Sequence, residues 1–416
     1  MPTPAPGPTA VASAAPDDGA PAHPRLTAAL LMAGSCLPIL GAVLLAPVLP
    51  KMQDHFAATP GAEVLVPVTL TVPALALALL APFAGVLVDR LGRSRLLTVS
   101  TVVYALVGTA PLWLDSLTAI VASRVLVGIA EATIMTCCTT LIGDYWSGRE
   151  RERYLALQAM CASLSATAFF VLGGAAGSAG WRAPFWAYAV GLVLAPLMAT
   201  RLRPVHPGTA AESVGGTGEP RPFPLRSLAA PCALTFFGAV VFYTVPVEMS
   251  YLLEDLGVTS AAAAGLAAAA ASAATVAGAA SFPRLARRAE ALLPLVLAVC
   301  AAGFTVMCFA PNTPLLVLGA VVNCLATGLL LPTLVTRTLA LLHHDDRGRG
   351  TGLWNAAFFL GEFLCPLALL GLAGAVGTLA GAVGVLAAVT AVVALGLAAV
   401  RARRGAASAA AKEATA

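Results

Sequence analysis

Gly85-Val-Leu-Val-Asp89-Arg90-Leu-Gly92-Arg93-Ser-Arg95-Leu-Leu97 closes one long apolar run and opens another. A loop on the positive side of a membrane would account for its arginines. It would not account for Gly85, Gly92 or Asp89. Gly85 lets two helices approach closely. Asp89, at a helix end, can sit against the N-terminus of another helix, where the macrodipole favours an anion by ~0.3–1 kcal/mol. Arg93 can pair with Asp144 further along the chain. The stretch reads as a tight turn between two membrane spans, with contacts that hold one side of the protein shut and break when it opens.

The composition around it agrees. Of 416 residues, 59% are hydrophobic and 11% charged, where a soluble domain carries about 25% charged residues. With a mean hydropathy of +0.88, the chain falls in the membrane class. A net charge of +4 is no argument for a nucleic-acid partner. All nine cysteines lie in apolar runs without CxxC spacing, so they read as small apolar side chains inside helices. Residues 1–25 are rich in Pro and Ala and lack the basic region of a cleavable signal, so they read as a disordered cytoplasmic tail.

A span needs about 20 mostly apolar residues. Such windows place helices near 27–49, 65–88, 96–114, 117–142, 156–177, 184–202, 228–252, 259–282, 291–309, 315–341, 352–371 and 379–400. Pro311-Asn312-Thr313-Pro314 and the Gly-rich 371–377 break the longest runs. With a cytoplasmic N-terminus, 20 Lys and Arg lie inside, and only Lys51 and Arg182 outside. An even number of spans returns the C-terminus to the cytoplasm. The polar stretch 204–226 reads as a cytoplasmic linker between two six-helix bundles, 26–203 and 227–404, followed by a tail at 405–416. Arg284-Leu285-Ala286-Arg287 after the eighth span echoes Arg90-Leu91-Gly92-Arg93 after the second.

These residues resemble the signature loop of the major facilitator superfamily, G-x-L-x-D-R-x-G-R-x-R, and the resemblance covers about 27–404. It implies an all-α, twelve-helix transporter of two pseudo-symmetric bundles, with helices one, four, seven and ten lining a central cavity. It implies that Asp89 meets the eleventh helix, expected to begin near Gly350-Thr351. Arg124 and Gly128 are similar to the fourth-helix motif R-x-x-x-G, which implies that Arg124 faces the cavity and takes part in proton coupling. The fifth helix resembles the G-P-x-x-G-G motif of proton-driven exporters at Gly173 and Gly174, but Phe169 and Phe170 stand where Gly-Pro would be.

Ionisable groups inside spans are functional candidates, since each costs roughly 2.5–3.5 kcal/mol on insertion scales. Arg124 and Glu131 are seven residues apart on one helix face, and Glu131 is a candidate proton carrier. They can also simply satisfy each other. Glu362 is a central carboxyl with Asn355 two turns earlier, either a protonation site or a hydrogen-bonded neutral group. Glu248 reads as a gate contact or an interfacial carboxylate. Arg337 is near enough to an inner helix end to snorkel. Ser35, Tyr243, Thr244 and Asn323 are the polar handles of an otherwise greasy cavity. Such a cavity suits an amphipathic solute, a cation included, better than a sugar.

There is no G-x-x-x-x-G-K-[ST] loop for ATP, no H-E-x-x-H and no G-x-S-x-G. His343-His344 beside Asp345-Asp346 reads as a solvated loop. The expected function is monomeric, proton-coupled export of small amphipathic molecules across the inner (cytoplasmic) membrane, with no bound cofactor. The alternatives are an importer or uniporter of a small metabolite, or of an organic anion held by Arg124 or Arg337. A membrane enzyme would require a clustered catalytic set, and none is read.

Overall fold

The computed structural model describes residues 23–83, 92–202, 225–285, 289–343 and 346–413. Among them, twelve helices are long and apolar enough to cross a membrane, and no residue lies in a strand. They are α1 Pro24–His55, α2 Ala62–Leu80, α3 Arg93–Leu112, α4 Leu117–Tyr145, α5 Gly148–Gly177 and α6 Ala183–Arg201. The second set is α7 Leu225–Asp255, α8 Ala261–Leu285, α9 Ala291–Cys308, α10 Thr313–Ala340, α11 Arg347–Val376 and α12 Leu379–Arg403. They are apolar all round, as spans are, with Leu79, Val193, Phe309 and Leu395 exposed on the outside of the bundle.

Local chemistry sets where these helices bend and stop. The α-helix of α1 ends at Val43, passes through a 3-10 turn at Ala46–Val48 and resumes at Leu49–His55. Pro47 and Pro50 supply no amide hydrogen there, so a regular ladder cannot continue. The same device opens α6, where Pro184 begins a 3-10 stretch over Ala183–Ala189. The α9–α10 break is capped by Asn312, whose side chain accepts from the Leu315 amide at 3.1 Å. The α11–α12 break falls at Gly377, with φ of 90° and its amide bonded to the Ala373 carbonyl, a left-handed cap that favours glycine.

Several span boundaries differ from the windows expected from hydropathy. α2 ends at Leu80, not 88, and turns at 81–83. α5 begins at Gly148 rather than 156, because Arg149, Glu150, Arg151, Glu152 and Arg153 form exposed or half-buried helical turns that a hydropathy window rejects. α11 begins at Arg347, ahead of the expected 352, and the last helix continues in backbone form to Glu413. The expected tail over 1–22 and most of the linker, 203–224, lie outside the described residues.

The packing repeats with an offset of six helices. α2 packs on α4 as α8 does on α10, α3 on α4 as α9 on α10, α1 on α5 as α7 on α11, and α3 on α6 as α9 on α12. The main contacts between the two sets are α5 with α8 and α2 with α11, and the same offset exchanges these two. Glycine makes the first of them possible. A Cβ at Gly174 would lie 2.6 Å from the Ala261 carbonyl oxygen and 2.9 Å from Gly265 Cα, so the two backbones touch directly.

Candidate functional site

Arg124 is fully buried in the first set. Its Nη2 donates to the Tyr188 hydroxyl, and its guanidinium lies 4.7 Å over the Tyr188 ring and 5.9 Å from Phe185. Tyr104 packs on Tyr188 at 5.0 Å and donates its hydroxyl to the Leu37 carbonyl at 2.7 Å. The aromatic box spreads the cost of a desolvated cation, each face contributing about 2 kcal/mol when water is excluded. It does not complete the hydrogen bonding, for Arg124 Nε and Nη1 have no partner. Arg124 is not among the described residues that line the cavity between the two helix sets. It turns towards α6 and α3 within its own set.

Glu131 is also buried, with Oε1 unpartnered. It lies flat against Gly41 of α1, where any Cβ would collide with its carboxyl. Seven residues of helix separate it from Arg124, about 10 Å of rise, and the two form no ion pair. They still interact electrostatically, and Glu131 also interacts with Glu362 of the other set.

Between the sets lies a cavity of about 220 Å³. Its walls are Ala42 and Val43 of α1, Phe170 of α5, Phe242 and Tyr243 of α7, and Ser272 of α8. Glu362 of α11 is the sole carboxylic acid among the described lining residues, and α10 contributes only Cys324. α4 is absent from the described lining residues, while α5, α8 and α11 join the expected helices one, seven and ten there. Glu131 stands one residue behind the α1 wall, since Gly41 holds it and Ala42 lines the cavity. Tyr243 donates its hydroxyl to the Ala42 carbonyl at 2.6 Å, and Ser250 to the Ala46 carbonyl at 2.8 Å. Thr167 and Ser272 bond across α5 and α8 at 3.0 Å.

The other candidates disperse. Ser35 bonds to the Leu31 carbonyl and accepts from Gln158 at 2.8 Å; Gln158 also reaches Thr139 at 3.1 Å. Gln158 therefore ties α1, α4 and α5 together. It was missed, although an amide in an apolar run is a visible signal. Thr244 is closed on the Val240 carbonyl. Asn323 donates to the Cys300 carbonyl at 3.2 Å and packs α10 on α9, with its own carbonyl oxygen unpartnered. Arg337 faces a groove between α7, α10 and α12, away from the cavity. Asn355 is half-buried on α11, beside Trp354, which stacks on Phe358 at 5.5 Å. Glu248 lies in a different cavity, towards the α7–α8 end.

At the opposite end, Gly92 has a φ of 83° and starts α3, and Arg93 forms an ion pair with Asp144 of α4. Gly85, Asp89 and Arg90 lie outside the described residues. The first turns of α11 do stand at the end of α2, with Gly352 facing Pro82 and Ala81. Among the described residues no His, Cys, Asp and Glu side chains gather into a metal site.

A helical bundle with twelve span-length helices, packed as a six-helix repeat around a cavity between the sets, defines a multi-pass membrane protein. The family model of the Major Facilitator Superfamily matches residues 31–309 and 232–416, and the chain belongs to that family. It is also similar to the class C tetracycline resistance protein of Escherichia coli, 29% identical over 231 residues. That match takes in 54% of each chain, so the chain spans about half the length of the curated relative.

Proposed function

We propose that this protein exports small amphipathic molecules, cations included, across the cytoplasmic membrane in exchange for protons, by alternating access. The observation that carries this reading is Glu362, a single carboxyl in an apolar cavity between the two helix sets. A cationic solute and a proton would compete for that carboxyl, which is the requirement for antiport. Glu131, behind the α1 wall and interacting with Glu362, supplies a second proton-accepting group on the other set. The tetracycline resistance relative supports the outward direction, because a membrane transporter confers resistance by moving a drug out. Binding of an organic anion loses its support, since neither Arg124 nor Arg337 lines the cavity. In this reading the proton gradient is the energy source, the Gly92 end with both termini faces the cytoplasm, the working unit is a monomer, and the Arg93–Asp144 pair opens with each cycle.

The test uses purified protein in liposomes loaded with a pH dye and a panel of lipophilic cations, weak organic acids and sugars. Cation-dependent proton flux is expected in the wild type and should be lost in Glu362→Gln or Glu131→Gln. Solute movement without proton flux, unchanged in both variants, would overturn antiport. Failure to restore drug resistance in cells stripped of their own exporters would overturn export.

A further inference from the structure

The α7–α8 end of the bundle holds a second cavity, of about 680 Å³, that shares no lining residue with the central one. Its mouth carries Glu63 of α2 with Glu254 and Asp255 of α7. Glu63 and Asp255 are exposed and Glu254 is half-buried. Among the described lining residues there is no lysine or arginine. Deeper, seven residues back along α7 from Asp255, Glu248 is only 5% exposed. It lines the cavity and makes no hydrogen bond or ion pair among the described residues. The buried Tyr251 hydroxyl, one turn nearer the mouth, is likewise unpartnered. Leu370 and its neighbours at the α11–α12 junction form an apolar wall opposite.

A charged side chain taken out of water is costly without a partner, so Glu248 either holds a proton or takes a counter-ion from outside the chain. We propose that this cavity is a binding site for an amphipathic organic cation, with Glu248 as its counter-ion. The ammonium group would donate to the Glu248 carboxylate and to the Tyr251 oxygen, with the tyrosine ring offering a cation–π face. The apolar body would lie on the Leu370 wall. The acidic mouth would draw cations in by field, as charged clefts do. A metal ion is the wrong occupant. Calcium takes six to eight oxygen ligands at about 2.3–2.6 Å, and no convergent group of metal-binding side chains exists among the described residues. The site stands apart from the central cavity and does not depend on the export reading.

The experiment measures calorimetric binding of benzylammonium, whose three N–H groups can reach both acceptors, to the detergent-purified full chain. Saturable binding is expected, weakened about tenfold or more in Glu248→Gln, a change of about 1.4 kcal/mol. Glu248→Asp should retain most of it, and Glu362→Gln removes the central counter-ion, so the binding it retains reports the second cavity. Tyr251→Phe keeps the ring and removes one acceptor, so it should bind more weakly than wild type and more tightly than Glu248→Gln. It also guards against misfolding of the charge variant. No binding to the wild type, equal binding by Glu248→Gln, or no Glu248-dependent binding left in Glu362→Gln would each overturn the proposal. A liposome assay without proton flux would leave this result standing.

Discussion

At the scale of single residues, the first set is built around a cation that has no carboxylate partner. Arg124 has one hydrogen bond, to Tyr188, and two aromatic faces. Removing the Tyr188 hydroxyl leaves a buried guanidinium with no hydrogen-bond partner among the described residues. Tyr188→Phe should therefore destabilise the protein by about 1–3 kcal/mol, read as a lower thermal unfolding midpoint in detergent. An unchanged midpoint would mean that the aromatic faces alone hold the charge. Arg124, Glu131, Glu248 and Glu362 were legible in the sequence because charges are rare in apolar windows and each has an insertion cost. Their partners were not. Nothing in the spacing of Tyr104 and Tyr188 announces that Tyr188 meets Arg124 and Tyr104 backs it, since they come from separate helices and have the composition of ordinary core. The surroundings of Thr244, Asn323 and Arg337 were hidden for a related reason. A polar side chain in a span can be satisfied by its own helix, by its set's interior or at the periphery, and periodicity alone does not choose among these.

At the scale of elements, the decisive contact is the crossing of α5 and α8. Gly173 lies against the Leu44 backbone, and Gly174 and Gly265 meet face to face. Gly174→Ala puts a methyl group 2.6 Å from a carbonyl oxygen. Such overpacking costs about 1–3 kcal/mol and should lower both the unfolding midpoint and the transport rate. Gly371→Ala, where nothing lies within 4 Å, is the control and should change neither. Equal behaviour of the two variants would show that the seam is looser than its geometry. The sequence displayed this Gly-Gly pair, but not which helix it would meet. The breaks at Asn312 and Gly377 were legible because turn chemistry is local. The early start of α5 was not, because a charged helical turn and a charged loop have the same hydropathy.

At the scale of the whole molecule, the repeat was only faintly visible in sequence, through two short basic stretches. It is plain in the packing, where each helix pair of one set has its counterpart six helices on. Side chains diverge between the copies while the ridges that fit them together persist, so architecture outlasts the motif. Orientation remains a matter of charge, and it makes a clear prediction. A cysteine introduced at Asn312, exposed at the α9–α10 turn, should react with a membrane-impermeant maleimide in intact cells. One at Ser147, between α4 and α5, should react only after the cells are opened. The reverse pattern would invert the arrangement and place the Arg93–Asp144 pair outside.

The meeting of Gly174 and Gly265 also limits how the two halves can move. Backbone rests on backbone there, with no side chain between to flex. A slip of one turn would set Gly174 opposite Ala269 or Ala261, whose Cβ has no space at that separation. Rotation about the contact meets no such obstacle. The seam has the geometry of a pin joint, which favours a swing of the halves over a slide.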